Sequence, residues 1–363
     1  MVLETLSQET LNFYAPRFIV EIENQTLNAI ISKAIIDVTV EEKIDEGESF
    51  QLTLHDEFDL NTQEFKWLDH ELFNVGNNVT IKIGYENDLY IMVIGVITGL
   101  EPSFFSSETP TIRITGQDPS FDCLKKSSPA RTFTDKSYSE IAEIIAEEAH
   151  LSSEVDDVDN YRTTTQKDNN ENYLTFLNKL KDEVGYELKL REQTLYFIEP
   201  RDDRDEILTL ELGKDIISFR PVMNTADVVT EVEVRGHNPA DPGNPIIGRA
   251  TPGSERSQES ERTPGSQIVE EQHRSTKRVI TNVTVNSQEH ADSIARAELN
   301  RAADTFITGD LECIGIPQIR AGEAIRLEKM GARFSGKYYI IGTTHTINAS
   351  GYRTKISVKR NAV

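Results

Sequence analysis

The chain has 363 residues, with 38 basic and 61 acidic side chains and a formal charge of −23. That balance opposes electrostatic adhesion to nucleic acid or anionic lipid, and no apolar run approaches the ~20 residues a membrane-crossing helix needs. The length suggests two or three domains. The opening Met1-Val2-Leu3-Glu4-Thr5 has neither a basic segment nor an apolar signal core, so folding in the producer cytoplasm is expected.

Residues 1–16 read as a polar N-terminal arm with Leu11, Phe13 and Tyr14 as anchors, ordered in an assembly. Strands begin at Arg17. Phe18, Val20 and Ile22 share one face, and Ile36, Val38 and Val40, then Phe50, Leu52 and Leu54, alternate in the same way. The acidic run Glu41, Glu42, Asp45, Glu46 and Glu48 between two strands reads as a solvated turn. Val79, Ile81 and Ile83 lead into Gly84-Tyr85-Glu86-Asn87-Asp88, a tight hairpin connection, and Ile112 and Ile114 close the sheet. Residues 17–120 are therefore expected to form a first antiparallel, barrel-like domain.

The pattern changes near Asp118. Ser137 with Glu140 forms a capping box ahead of the stripe Ile141, Ile144, Ile145 and Ala149. A second helix, about 171–183, carries Tyr173, Phe176, Leu177, Leu180 and Val184 on one face, with Gly185 as C-cap. Leu188 and Leu190 then pair with Leu195 and Phe197 around Glu192-Gln193. Helix, helix and hairpin make a small α/β domain over 121–205.

Val228, Thr230, Val232 and Val234 alternate and end at Gly236. A second, discontinuous barrel is expected over 206–236 and 306–363, with an insertion over 237–305. Residues 239–266 are dense in Pro, Gly, Ser and Glu, and Thr-Pro-Gly-Ser occurs at Thr251 and again at Thr263. This composition reads as an exposed loop, with a contact arm and a tolerated insertion both open. Asn286 followed by Glu289 opens a helix whose stripe is Ala291, Ile294, Ala295, Leu299 and Ala302. After Asp304 the period becomes two. Tyr339, Ile341, Thr343, His345 and Ile347 share a strand face, and Asn348-Ala349-Ser350-Gly351 makes a hairpin turn. Tyr352, Thr354, Ile356 and Val358 then return, with Arg353, Lys355 and Lys359 on the other face. The fold class is α+β, mainly β: two similar antiparallel barrel-like domains, a small α/β domain and a helix-containing insertion.

Chemistry is thin. The chain has no G-x-S-x-G elbow, no H-E-x-x-H helix and no P-loop. Cys123 and Cys313 are too few for a Cys-rich zinc site and read as small apolar residues. His345 has two readings, a ligand or a hydrogen-bonded core histidine. Asp156, Asp157 and Asp159, or Asp202, Asp203 and Asp205, lack the glycine and terminal glutamate of an EF-hand and read as solvated loop acids. No catalytic, cofactor or metal residue is assigned. The cationic group Arg353, Lys355, Lys359 and Arg360 is the candidate subunit interface, an ordinary solvated strand face being the other reading.

Several words carry a resemblance. Gln288-Glu289-His290-Ala291-Asp292, Phe306-Ile307-Thr308-Gly309, Cys313-Ile314-Gly315-Ile316-Pro317-Gln318-Ile319-Arg320-Ala321-Gly322, Phe334-Ser335-Gly336-Lys337-Tyr338-Tyr339, His345-Thr346-Ile347 and Gly351-Tyr352 occur in order. Asn172-Tyr173-Leu174-Thr175-Phe176-Leu177 and Leu195-Tyr196-Phe197 precede them. Together the chain resembles the late control protein D family, the baseplate hub of contractile phage tails and injection systems, which shares its fold with the N-terminal part of VgrG. The resemblance implies a structural, non-enzymatic virion component: a homotrimer whose paired tube domains form a pseudo-sixfold ring joining a sixfold tail tube to a threefold spike. Its implied partners are the tail tube ring, a separate spike protein and other baseplate proteins, because no spike segment follows the last hub strand here. The acidic balance would repel like-charged cargo from a lumen wall. Two alternatives remain, a cell-wall glycan hydrolase using two of the many carboxylates and a carbohydrate-binding module.

Overall fold

The computed structural model describes residues 15–363 except 106, 127, 160–163, 203, 238–243, 257, 258, 260 and 273–275. The expected arm thus lies outside the described residues but for its last two. Strand alternation begins where expected. The first part of the chain comprises β1 (Pro16–Ile22), β2 (Gln25–Thr26), α1 (Ala29–Ala34), β3 (Ile35–Lys43), β4 (Ser49–His55), a small hairpin of β5 (Phe58–Asp59) and β6 (Glu64–Phe65), β7 (Asn78–Tyr85), β8 (Asp88–Ser103) and β9 (Thr111–Gln117). Asn28 starts α1 by accepting hydrogen bonds from the Ile30 and Ile31 amides. Antiparallel pairing runs β3–β4–β9–β8–β7–β1. The inward residues, among them Val38, Leu52, Ile81, Ile83 and Ile114, fill one core. β8 shifts register between Ile97 and Gly99, which lets the sheet curl back on itself.

The second part contains α2 (Ser120–Lys125), β10 (Arg131–Thr134), α3 (Tyr138–Glu148), β11 (Ser152–Val155), β12 (Thr164–Lys167), α4 (Tyr173–Val184), β13 (Glu187–Arg191) and β14 (Thr194–Ile198). The Ser137 capping box is complete, with both reciprocal hydrogen bonds formed. α4 ends on Gly185 at φ +72°, a left-handed cap that a side chain would strain. Leu188 pairs with Phe197 and Leu190 with Leu195. The turn residues Glu192 and Gln193 both take positive φ, as a tight two-residue hairpin requires. Phe133, Ile141, Phe176, Leu177, Leu188 and Phe197 form a separate core.

The third part comprises β15 (Leu208–Glu211), β16 (Ile216–Met223), β17 (Glu231–His237), β18 (Ile246–Ala250), α5 (Gly265–Glu271), β19 (Lys277–Thr284), α6 (Gln288–Ala303), β20 (Ile307–Ile314), β21 (Ala324–Glu328), α7 (Gly331–Phe334), β22 (Gly336–Asn348) and β23 (Gly351–Arg360). Antiparallel neighbours run β16–β20–β23–β22 around a core that includes Leu311, Cys313, Ile325, Tyr338 and Ile356. β22 then continues directly into β3, with pairs from Gly342–Lys43 to Asn348–Asp37. One sheet of thirteen strands therefore joins the first and third parts among the described residues.

Three expectations need correction. β17, placed by its alternation in the second barrel, leaves the large sheet; it pairs with β18 and with β19. The cause is α6: Val232 and Val234 meet Ala291, Ile294, Ala295 and Leu299, which complete their burial locally. α6 is capped by Ser287, which accepts from the His290 amide, rather than by Asn286. The described residues of 239–266 are not an open loop, since they include β18 and the start of α5. Charge does there what apolar surface cannot. Glu255 accepts a hydrogen bond from Ser266, and Glu259 pairs with Arg326 at 3.0 Å and with Arg360 at 3.2 Å.

Candidate functional site: a polar sheet face and its buried clamp

Strand periodicity gives the large sheet two chemically opposite faces. One packs on the cores. The other carries rows of hydroxyl, amide and charged side chains that cross from β20 to β9. One row runs Glu312–Lys355–Thr344–Glu41–Ser49–Gln117 by direct register pairing. The next runs Arg353–Thr346–Thr39–Gln51–Thr115, with the Thr39 and Thr346 hydroxyls 3.2 Å apart. Five acids on this face (Asp37, Glu41, Glu101, Asp310, Glu312) meet five bases (Lys43, Arg113, Arg220, Arg353, Lys355). The face is thus balanced in sign on a chain of net charge −23. A shallow groove of about 520 Å³ lies in it, bordered by Lys43, Arg220, Asp310, Glu312, Thr344 and Lys355.

Behind this face sits a buried ionic clamp. Arg320, in the turn between β20 and β21, donates from Nε to Glu42 at 2.7 Å and from a terminal nitrogen to Glu48 at 2.5 Å. Arg191 of β13 donates to the same Glu42 at 2.5 Å and 2.9 Å, and to the Ala321 carbonyl at 2.9 Å. The clamp therefore joins three parts of the chain through one glutamate. Burial alone would raise the Glu42 carboxyl; the charges of Arg320 and Arg191 overturn that and hold it at about 2. Burial pushes Glu48 up to about 8; the charge of Arg320 opposes the rise, and that of Glu42 adds to it. Nearby, Tyr85 donates to the Gly315 carbonyl at 2.7 Å, tying the β7–β8 hairpin to the end of β20. A Cβ on Gly315 would lie 2.0 Å from the Tyr352 ring, so this close approach requires glycine.

The clamp overturns the reading of the acidic run as a solvated turn. Glu42 and Glu48 are buried, and Asp45 pairs with Lys181 at 2.9 Å and accepts from the Leu188 amide at 3.2 Å. The sequence signal was present as carboxylates in register with inward-facing strand residues, but their arginines lie far along the chain. Of the four cationic residues proposed as an interface, Arg353 and Lys355 lie on the polar face. Lys359 is drawn to Asp304 at 2.7 Å and stands over the Tyr339 ring. Arg360 points to the opposite side; it is 1% exposed and pairs with Glu259. The four residues do not form one surface. Alternation itself turns Arg360 inward, on the same side as Tyr352, Thr354, Ile356 and Val358.

His345 is a core histidine. Nδ1 lies 2.8 Å from the Tyr352 hydroxyl and Nε2 lies 2.9 Å from the Ile319 carbonyl. Burial, with the charge of Arg320, lowers it to about 4. Asp156 is engaged by Arg201 and by the Glu199 amide, and Asp202 is buried 3.8 Å from Arg256. Cys123 and Cys313 are both free thiols, and burial pushes the Cys313 thiol well up. Among the described residues no three His, Cys, Asp or Glu side chains converge as a metal site would require.

A family model described as the Alg8 N-terminal domain matches residues 15–349. The chain belongs to that family. No curated protein matches it. Among solved structures, this family member is similar to the 43 kDa tail protein of prophage MuSo2 from Shewanella oneidensis, at 17% identity and a TM-score of 0.73, covering 95% of this chain and 98% of that one. It is also similar to a tail protein from Neisseria meningitidis MC58, at 11% identity and a TM-score of 0.70, covering 96% and 97%. A third match is an E. coli component of the type VI secretion system, at 12% identity and a TM-score of 0.58, covering 95% and 77%. The family member thus has a mainly β tail-protein fold over nearly its whole length.

Proposed function

We propose that this chain is a structural subunit of a tail baseplate hub, of the late control protein D kind, acting by assembly rather than by catalysis. Three copies close into a ring, each contributing two barrel-like modules, so that six similar units meet a tail tube and three subunits meet a spike. The single observation that carries this reading is the continuous sheet. β22 and β3 weld the modules side by side, giving one broad polar face. In the ring that face lines the passage. Its balanced charge favours a wall that holds neither cationic nor anionic cargo, in place of the repulsive acidic wall expected from net charge.

The buried clamp fixes the angle between the modules, a quantity ring closure depends on. Mass determination by light scattering, with negative-stain imaging of the purified chain, tests the proposal. Trimers with a central channel and no turnover of peptidoglycan are expected. A chain that stays monomeric up to its solubility limit, or glycan cleavage abolished by one Asp or Glu substitution, would overturn it.

A further inference from the structure

Among the described residues, two groups of exposed apolar side chains stand at sheet margins outside the cores. The first is an aromatic corner. The Phe65 ring lies 4.8 Å from Phe58 and 5.1 Å from Phe104, so the β5–β6 hairpin is pinned to the end of β8. Phe104, Phe105 and Leu60 are nonetheless 57%, 62% and 82% exposed. Asp59 and Glu64 of the same hairpin, and Glu108 in the loop after β8, are exposed and carry no ion pair among the described residues. The second is the edge of β16, the last strand of the large sheet. Ile217, the extra residue of a bulge, and Leu212 are about half exposed, and Arg220 adds a cation. Pro221 lacks an N–H and blunts this edge against strand-to-strand pairing, so contact there is made by side chains.

We infer that the aromatic corner of one copy seats on the β16 edge of the next copy. Three observations commit the corner to a second copy. Strand order puts the two surfaces at opposite limits of the polar face, which ends at β16 on one side and, on the other, at the part of β8 beyond Val96, where β9 pairs with it and β7 does not. Unlike surfaces at opposite limits make a head-to-tail contact, the kind that yields a ring when the rotation between copies closes and a filament when it does not. The acidic rim of the corner is complementary to Arg220, and exposed aromatic clusters of this kind are the usual anchors of an interface. The inference rests on the ring proposed above and names the surfaces that close it.

Cross-linking tests it. On a Cys123→Ser background, Phe105→Cys and Ile217→Cys chains are co-expressed and oxidised. A disulfide-linked product of two chains is expected only when both variants are present. Separately, Phe104→Ser with Phe105→Ser is expected to weaken self-association roughly ten-fold or more, with an unchanged circular dichroism spectrum. Trimers that form without the mixed product would overturn this contact and leave the ring standing. A product from Phe105→Cys alone would replace it with a like-to-like contact. A persistently monomeric chain would overturn both contact and ring.

Discussion

Glu41 and Glu42 are adjacent on β3, yet the pleat sends them to opposite fates. Glu41 faces solvent in a row of hydroxyls and mixed charges, whereas Glu42 is 6% exposed and held by two arginines. The same carboxylate is a screened surface charge in one place and a fastener between three parts of the chain in the other. The difference is burial, because the desolvated charge depends wholly on its partners. Replacing Arg320 with Met, which leaves Glu42 and Glu48 short of a partner, is expected to cost about 3–5 kcal/mol in urea unfolding. Glu42→Gln should fall in the same range. A cost near that of a surface substitution would show that water reaches the clamp and would erase the contrast.

The second test uses pH. His345 borders the clamp and is kept neutral, its pKa lowered from 6.5 to about 4 by burial and by Arg320. A base with a depressed folded pKa binds fewer protons folded than unfolded across that window. Stability from this group is therefore complete above pH 6.5 and declines as pH falls towards 4, by about 3 kcal/mol in all. Glu48, raised to about 8, acts oppositely: its burial penalty grows as pH rises from 4.5 to 8. Comparing wild type with His345→Gln isolates the histidine. The variant should lose the decline between pH 6.5 and 4, and an unchanged slope would place the imidazole in contact with water.

Local structure was legible because its causes are local. The Ser137 box, the Gly185 cap and the Glu192-Gln193 turn are each written within a few residues, and Ser137→Ala should cost about 1 kcal/mol by thermal unfolding. The alternating strands were equally plain. What remained hidden depends on distant pairings. Nothing near Val232 signals that α6 rather than the large sheet will cover it. Glu42 and Arg320 are 278 positions apart, so the acidic run read as solvated. Arg353 and Lys355 faced outward as alternation requires. Arg360 faces inward by the same rule, with Val358, but its partner Glu259 was hidden in a segment whose composition reads as loop.

The smallest expected effect sharpens the comparison most. Glu312 and Lys355 stand directly opposite one another on the polar face, an exposed counterpart to the buried Glu42 and Arg320, which meet at 2.7 Å. Exposed pairs are screened by salt and lose side-chain freedom on pairing. Glu312→Gln, Lys355→Gln and the double variant should each shift stability by less than ~0.5 kcal/mol, with a coupling of similar size. A coupling above ~2 kcal/mol would mean that the face is desolvated in the isolated chain, contrary to the open wall proposed for it. With coupling small, the charges on this face are independent of the fold, while those one residue away are fixed by it.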